Sequence, residues 1–156
     1  MLAGLGRPGL AVDVNGWVAA VGDLPPIVER GGCDIAPVPI TAEDDRKRLQ
    51  SYVWPDQLQR LERMALAMTI FSEEPAEIVA GNAADFCEER ATPRKGVVTT
   101  VFHSIALQYF SAADQQRIAG HLQRMGEVAT DEAPLTRSEL EAGGGHWRAG
   151  YVVSSK

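Results

Sequence analysis

Residues 97–104 read Val-Val-Thr-Thr-Val-Phe-His103-Ser104 and run on into Ile105-Ala-Leu-Gln-Tyr109-Phe110. β-Branched and aromatic side chains fill the stretch before the histidine, which fits an extended strand at the centre of a sheet. The strand ends in a histidine and a serine, after which the pattern turns helical. In an open α/β sheet, ligands bind where strands end, so His103 and Ser104 stand where chemistry is placed. A lone histidine can equally close a strand by a hydrogen bond to nearby backbone, and residue type alone favours that plainer role.

Working outward, Ser111-x-x-Asp114 resembles a capping box that opens a helix. Its apolar face carries Ile118, Leu122 and Met125, Gly126 is the expected stop, and His121 falls off that face toward solvent. Upstream, residues 77–80 read as a short buried strand between Pro75 and Gly81, and Asn82 caps a helix over 83–90. Further upstream, residues 27–30 read as a strand, Gly31-Gly32 as a turn, and Pro37 and Pro39 as an extended exit. Asp34 at that turn can accept the protons of a sugar diol or those of neighbouring backbone amides, and the turn role is favoured. Thr41-x-x-Asp44 is a second capping box, and Pro55 separates its helix from the next. That next helix places Leu58, Leu61, Ala65 and Met68 on one face, widened by Met64 and Phe71, and expected as core, with Trp54 as a packing anchor. Residues 135–140 read as another strand, Gly143 to Gly145 as a turn, and Trp147, Ala149, Tyr151 and Val153 alternate as in a strand.

Composition bounds what such a chain can do. With 156 residues, 45% of them hydrophobic and 23% charged, it fits one soluble globular domain. A net charge of −6 argues against non-specific binding to nucleic acid or an anionic membrane, both of which need a basic face. No apolar run reaches membrane-spanning length, and no signal-peptide pattern opens the chain. Cys33 and Cys87 are too few for a disulfide framework and lack metal-ligand spacing, so a cytoplasmic setting is expected. His103, His121 and His146 show no ligand spacing either, and no metal site is expected.

Strands alternating with helices predict a mostly parallel sheet with helices on its faces. In that arrangement the ends at Asp34, Asn82–Asp85 and His103–Ser104 emerge along one edge, where a small-molecule ligand would sit. Gly4-x-Gly6-x-x-Gly9 has dinucleotide-loop spacing, but only three residues precede Gly4 and Pro8 interrupts the loop.

Three segments taken together resemble a known group: Arg30-Gly-x-Cys-Asp34-x-x-Pro37, then Tyr52-Val-Trp54-Pro55-Asp56-Gln57-x-x-Arg60, then Phe102-His103-Ser104 with Gln108-Tyr109. They look like bacterial proteins of domain-of-unknown-function family 2332 (DUF2332), whose strand pattern resembles S-adenosylmethionine-dependent methyltransferases. The resemblance implies a partial Rossmann-like, methyltransferase-type α/β fold. It implies S-adenosylmethionine as cofactor, with Asp34 on the ribose, Asn82 toward the adenine and Asp85 as a further cofactor-binding residue. His103 and Ser104 are the implied catalytic pair beside the transferable methyl group.

Against that pattern, the first strand and its glycine-rich loop are missing upstream of Arg30, and residues 146–156 stray from the later strand. The expected organisation is an irregular segment over 1–26, a partial Rossmann-like domain over 27–141 and a divergent strand or tail over 142–156. The chain reads as a truncated member whose unpaired sheet edges invite self-association. Two function classes follow: a methyltransferase-type enzyme, and a non-catalytic interaction module that completes its sheet with another chain.

Overall fold

The computed structural model describes residues 26–140 and 148–152. The loop at Gly4, Gly6 and Gly9, the turn at Gly143 to Gly145, His146, Trp147 and Val153 lie outside those residues. In chain order the elements are β1 (Gly31–Asp34), α1 (Glu43–Gln50), α2 (Leu58–Glu73), β2 (Glu77–Ala80), α3 (Ala83–Arg90), β3 (Thr99–Ser104), α4 (Ala112–Val128), β4 (Leu135–Leu140) and β5 (Arg148–Val152). A 3-10 turn at Leu107–Tyr109 joins β3 to α4. The class is mixed α/β, as the alternation predicts.

Among the described residues the strands divide between two sheets instead of forming one. β1 pairs with β2, while β3, β4 and β5 form a second sheet in that order. β3 and β4 run parallel, with Thr99 opposite Leu135 and Ser104 opposite Leu140. β5 runs antiparallel to β4. Gly31 and Gly32 are part of β1 and not the expected turn. A Cβ on Gly32 would meet Ile78 Cδ1 at 3.1 Å, an approach tighter than side chains normally allow. At the other end Gly81 N–H donates to Asp34 O at 3.0 Å, so β1 and β2 start and finish together.

The chain forms two compact units. In the first, which includes Val38–Glu77, α1 and α2 lie next to one another. α1 opens at Ala42 without a side-chain cap, not at the Thr41 capping box, and Glu43 instead pairs with Lys47 at 2.7 Å. The face of α2 expected as core is only partly covered: Leu61, Met64, Met68 and Phe71 are half-buried, and Leu58 is exposed. Trp54, expected as a packing anchor, is 73% exposed, while its neighbour Val53 is buried. Two helices alone cannot close a layer around an apolar stripe as wide as that of α2.

The second unit holds the core. Ala84 and Cys87 from α3 and Ala91 just past its end meet Ile118 and Leu122 from α4, with Ala129 and Leu135, and Val101, Phe110 and Met125 pack at its margin. α4 is capped as expected, Ser111 Oγ accepting from Asp114 N at 3.1 Å. It does not stop at Gly126 but continues to Val128, with Gly126 buried. Burial of its apolar face outweighs the cost of about 1 kcal/mol for an interior glycine. His121 is not solvated: it is buried, and its Nε2 lies 2.9 Å from Ala91 O. A carbonyl only accepts, so Nε2 carries the proton and ties α4 to the end of α3.

Side chains alternate along β3. Thr99, Val101 and His103 are half-buried, and Thr100, Phe102 and Ser104 are exposed. Val101 packs against the helical core, so the half-buried set faces α3 and α4. Among the described residues no helix is long and apolar enough to cross a membrane.

Candidate functional site

The strand ends carry the residues from which a site would be built. Asp34 closes β1 and is exposed, and its Oδ1 accepts the amide of Ala36 at 2.8 Å. That is the turn role for an aspartate, and it engages one carboxylate oxygen. Asn82 stands at the adjacent end of β2, brought beside Asp34 by the Gly81 N–H to Asp34 O bond. Its side chain caps α3, accepting from Ala84 N at 2.7 Å and Asp85 N at 3.4 Å. The amide oxygen expected to face an adenine is therefore committed to the helix.

Asp85 points along another direction. Its Oδ1 takes Arg117 Nη2 from α4 at 2.6 Å, and Glu88 Oε2 takes the same nitrogen at 2.6 Å. Arg117 Nη1 also reaches Asp114 Oδ1 at 3.5 Å. These contacts raise the guanidinium's affinity for its proton, first through Glu88 and then Asp85. In return, the Arg117 hydrogen bond holds the Glu88 carboxyl below the usual range. Asp114 is also held low, first by the Ser111 hydroxyl and then by Asn82. Asp85, Asn82 and Asp114 thus belong to a polar clamp between α3 and α4.

His103 and Ser104 share a strand end but not a face. Ser104 is exposed on the open side of the sheet, and His103 turns toward the helices. His103 Nε2 lies 3.3 Å from Arg137 Nη2. A guanidinium can only donate, so in this contact Nε2 accepts and the imidazole is the Nδ1–H tautomer. The lone pair that a general base needs is therefore engaged. Immediately beyond Ser104, Ile105 takes a φ of 49°, the left-handed region that β-branched residues avoid. That turn directs the chain out of the sheet and into the 3-10 turn.

Arg137 is the participant that sequence reasoning passed over. The signal for it was parity: Arg137 is two residues from Leu135, which is 1% exposed, so both side chains share the helix-facing side of β4. Arg137 also acts on Cys87 of α3, opposing the rise in its affinity for the proton. Burial, with smaller contributions from Glu88 and Cys33, nevertheless pushes the Cys87 thiol up to about 11. The half-buried Cys33 thiol is raised too, by burial and then by Asp34. Neither thiol is poised as a thiolate nucleophile.

Two surface clefts lie elsewhere. One of about 400 Å³ runs along α1 and α2, lined by Arg46, Gln50, Met68, Thr69 and Ser72. The other, about 360 Å³, is at the opposite ends of β3 and β4, lined by Lys95, Val97, Val98, Glu132 and Pro134. Neither is lined by Asp34, Asn82, Asp85, His103 or Ser104. Among the described residues no three His, Cys, Asp or Glu side chains gather to hold a metal ion.

No curated protein and no solved structure matches the chain. A family model described as an uncharacterized protein conserved in bacteria, DUF2332, matches residues 6–154. With nearly its whole length matched, and with the Trp-Pro-Asp and His-Ser segments that resemble that group, the chain belongs to the DUF2332 family.

Proposed function

We propose that this chain works as an interaction module that accepts an extended segment of another polypeptide along β3. The observation that carries this reading is the position of β3 at the edge of its sheet among the described strands. Thr99 N–H donates to Pro134 O, so Thr99, Val101 and His103 direct their backbone groups at β4. By alternation, Thr100, Phe102 and Ser104 direct theirs outward. Such a row is a template for strand addition, in which main-chain hydrogen bonds supply affinity. Usual guards of an edge (a lysine, a proline, a charge turned inward) do not occur in Thr99–Ser104.

Amide hydrogen exchange on the dilute chain tests this reading. The Thr100 and Phe102 amides should exchange rapidly while those of Thr99 and Val101 are protected. Binding of a partner strand should then slow Thr100 and Phe102. Equal protection of all four amides in the dilute monomer would sink the reading, because the edge would already be covered.

A second reading keeps the ligand edge in use: a Rossmann-like, methyltransferase-type domain that binds S-adenosylmethionine. What favours it is the pairing of Asp34 and Asn82 at adjacent strand ends, with Asp34 exposed. A carboxylate there can accept both protons of a ribose diol. His103 and Ser104 would flank the methyl group, and Asp85 would leave Arg117 for the ligand. Saturable S-adenosylmethionine binding in calorimetry, weakened by Asp34→Ala, is the expected outcome. Absence of any heat at millimolar cofactor rules it out.

A further inference from the structure

We infer that the segment accepted along β3 is β3 of a second copy, paired antiparallel about Thr100. This rests on the interaction-module reading and names its partner.

Three observations select a second copy. The first is electrical. From Gly96 to Ala113 the sequence contains no Asp, Glu, Lys or Arg, in a chain whose net charge is −6. Two copies repel overall, and this edge is where they can meet without placing like charges opposite one another.

The second is the symmetry of the exposed side chains. Phe102, on the open face of the sheet, is 61% exposed, and Val98, just before β3, is 56% exposed; they stand two residues either side of Thr100. A two-fold axis through Thr100, perpendicular to the sheet, sets Val98 of each copy opposite Phe102 of the other. Aromatic–β-branched pairs are among the favourable cross-strand pairs, so both apolar residues gain cover in one register. Thr100 falls opposite itself. It already bonds Thr136 Oγ1 through its own Oγ1 at 2.8 Å, so its hydroxyl does not depend on the interface.

The third is the backbone. Thr100 and Phe102 turn their N–H and C=O groups outward, and Val98 stands between β3 and the turn in which Val97 N–H donates to Arg94 O. Pairing Thr100 with Thr100 brings outward groups to outward groups without a bulge, and Val98 meets Phe102 where β3 lengthens by one residue on pairing. One isologous contact of this kind closes the β3 edge of both copies and yields a continuous six-stranded sheet.

Disulfide trapping in a Cys33→Ser background reads the register directly. In a hydrogen-bonded antiparallel pair the facing Cα atoms are about 5.5 Å apart, within disulfide reach. Thr100→Cys should therefore cross-link to itself on mild oxidation. Phe102→Cys alone should not, whereas a mixture of Val98→Cys and Phe102→Cys chains should. The wild type should sediment as a dimer at high micromolar concentration, and Phe102→Lys should shift it to monomer while keeping the wild-type circular dichroism. A strictly monomeric wild type overturns the proposal. So does a dimer that Phe102→Lys leaves intact, one that Thr100→Cys does not trap, or open-ended aggregation. If the chain stays monomeric but the Thr100 and Phe102 amides become protected on adding an unrelated extended peptide, only the second-copy assignment fails. Rapid exchange of Thr100 and Phe102 under every condition removes the interaction module itself.

Discussion

Cys87 sits in the core between α3 and α4, where burial holds its thiol protonated up to about 11, against an ordinary value of 9.0. A folded-state pKa above that of the unfolded chain gives stability that is full below about 9 and lost as pH rises toward about 11. Denaturant midpoints should therefore fall across that window in the wild type and fall less in Cys87→Ala. Equal slopes for the two would contradict the assignment. The same residue scale separates the two described histidines. His121 was expected in solvent because Ile118, Leu122 and Met125 define an apolar face that leaves it aside. It is buried nonetheless, because α3 ends beside it and the Ala91 carbonyl needs a donor. His103 was legible as a strand-end residue, but its engagement with Arg137 required the register of β4 against β3.

At the scale of elements, α3 and α4 are held by two kinds of contact. Apolar packing supplies the larger part, and Arg117 adds a clamp to Asp85 and Glu88 across the helices. Because that clamp lies at the surface, screening weakens it. Arg117→Met should lower Tm at low ionic strength, and the difference should shrink at high salt. A difference that salt does not change would mean the loss comes from packing of the arginine stem. The carboxyls of Glu88 and Asp114 are depressed in the folded chain, so their share of stability is present at neutral pH and lost as pH falls through those lowered values. Arg117→Met should flatten the Glu88 share of that acid limb and leave most of the Asp114 share, which Ser111 and Asn82 hold. Helix starts at Asn82 and Ser111 were readable, since a cap is a local interaction between side chain and nearby amides. The start at Thr41 was not, because the helix opens one residue later without using it.

For the molecule as a whole, the distribution of charge matters more than its sum. Self-association along an uncharged edge in a chain of net charge −6 should tighten as salt screens the repulsion between copies. Sedimentation at rising ionic strength checks this, and weakening by salt would point to an interface held by ion pairs. From the sequence alone came the mixed α/β class, the strand at 99–104, the capping residues Asn82 and Ser111, and family membership through the segments around Trp54 and His103. All of these depend on local propensity, periodicity or residue identity. The tertiary structure alone decided that the described strands split into two sheets, that Asn82 caps α3 while Asp85 pairs with Arg117, and that His103 meets Arg137. Among the described strands it also left β3 at an edge, with Phe102 exposed. Those outcomes depend on which strand pairs with which and on the faces that distant elements bring together, and no window of neighbouring residues encodes such long-range pairing.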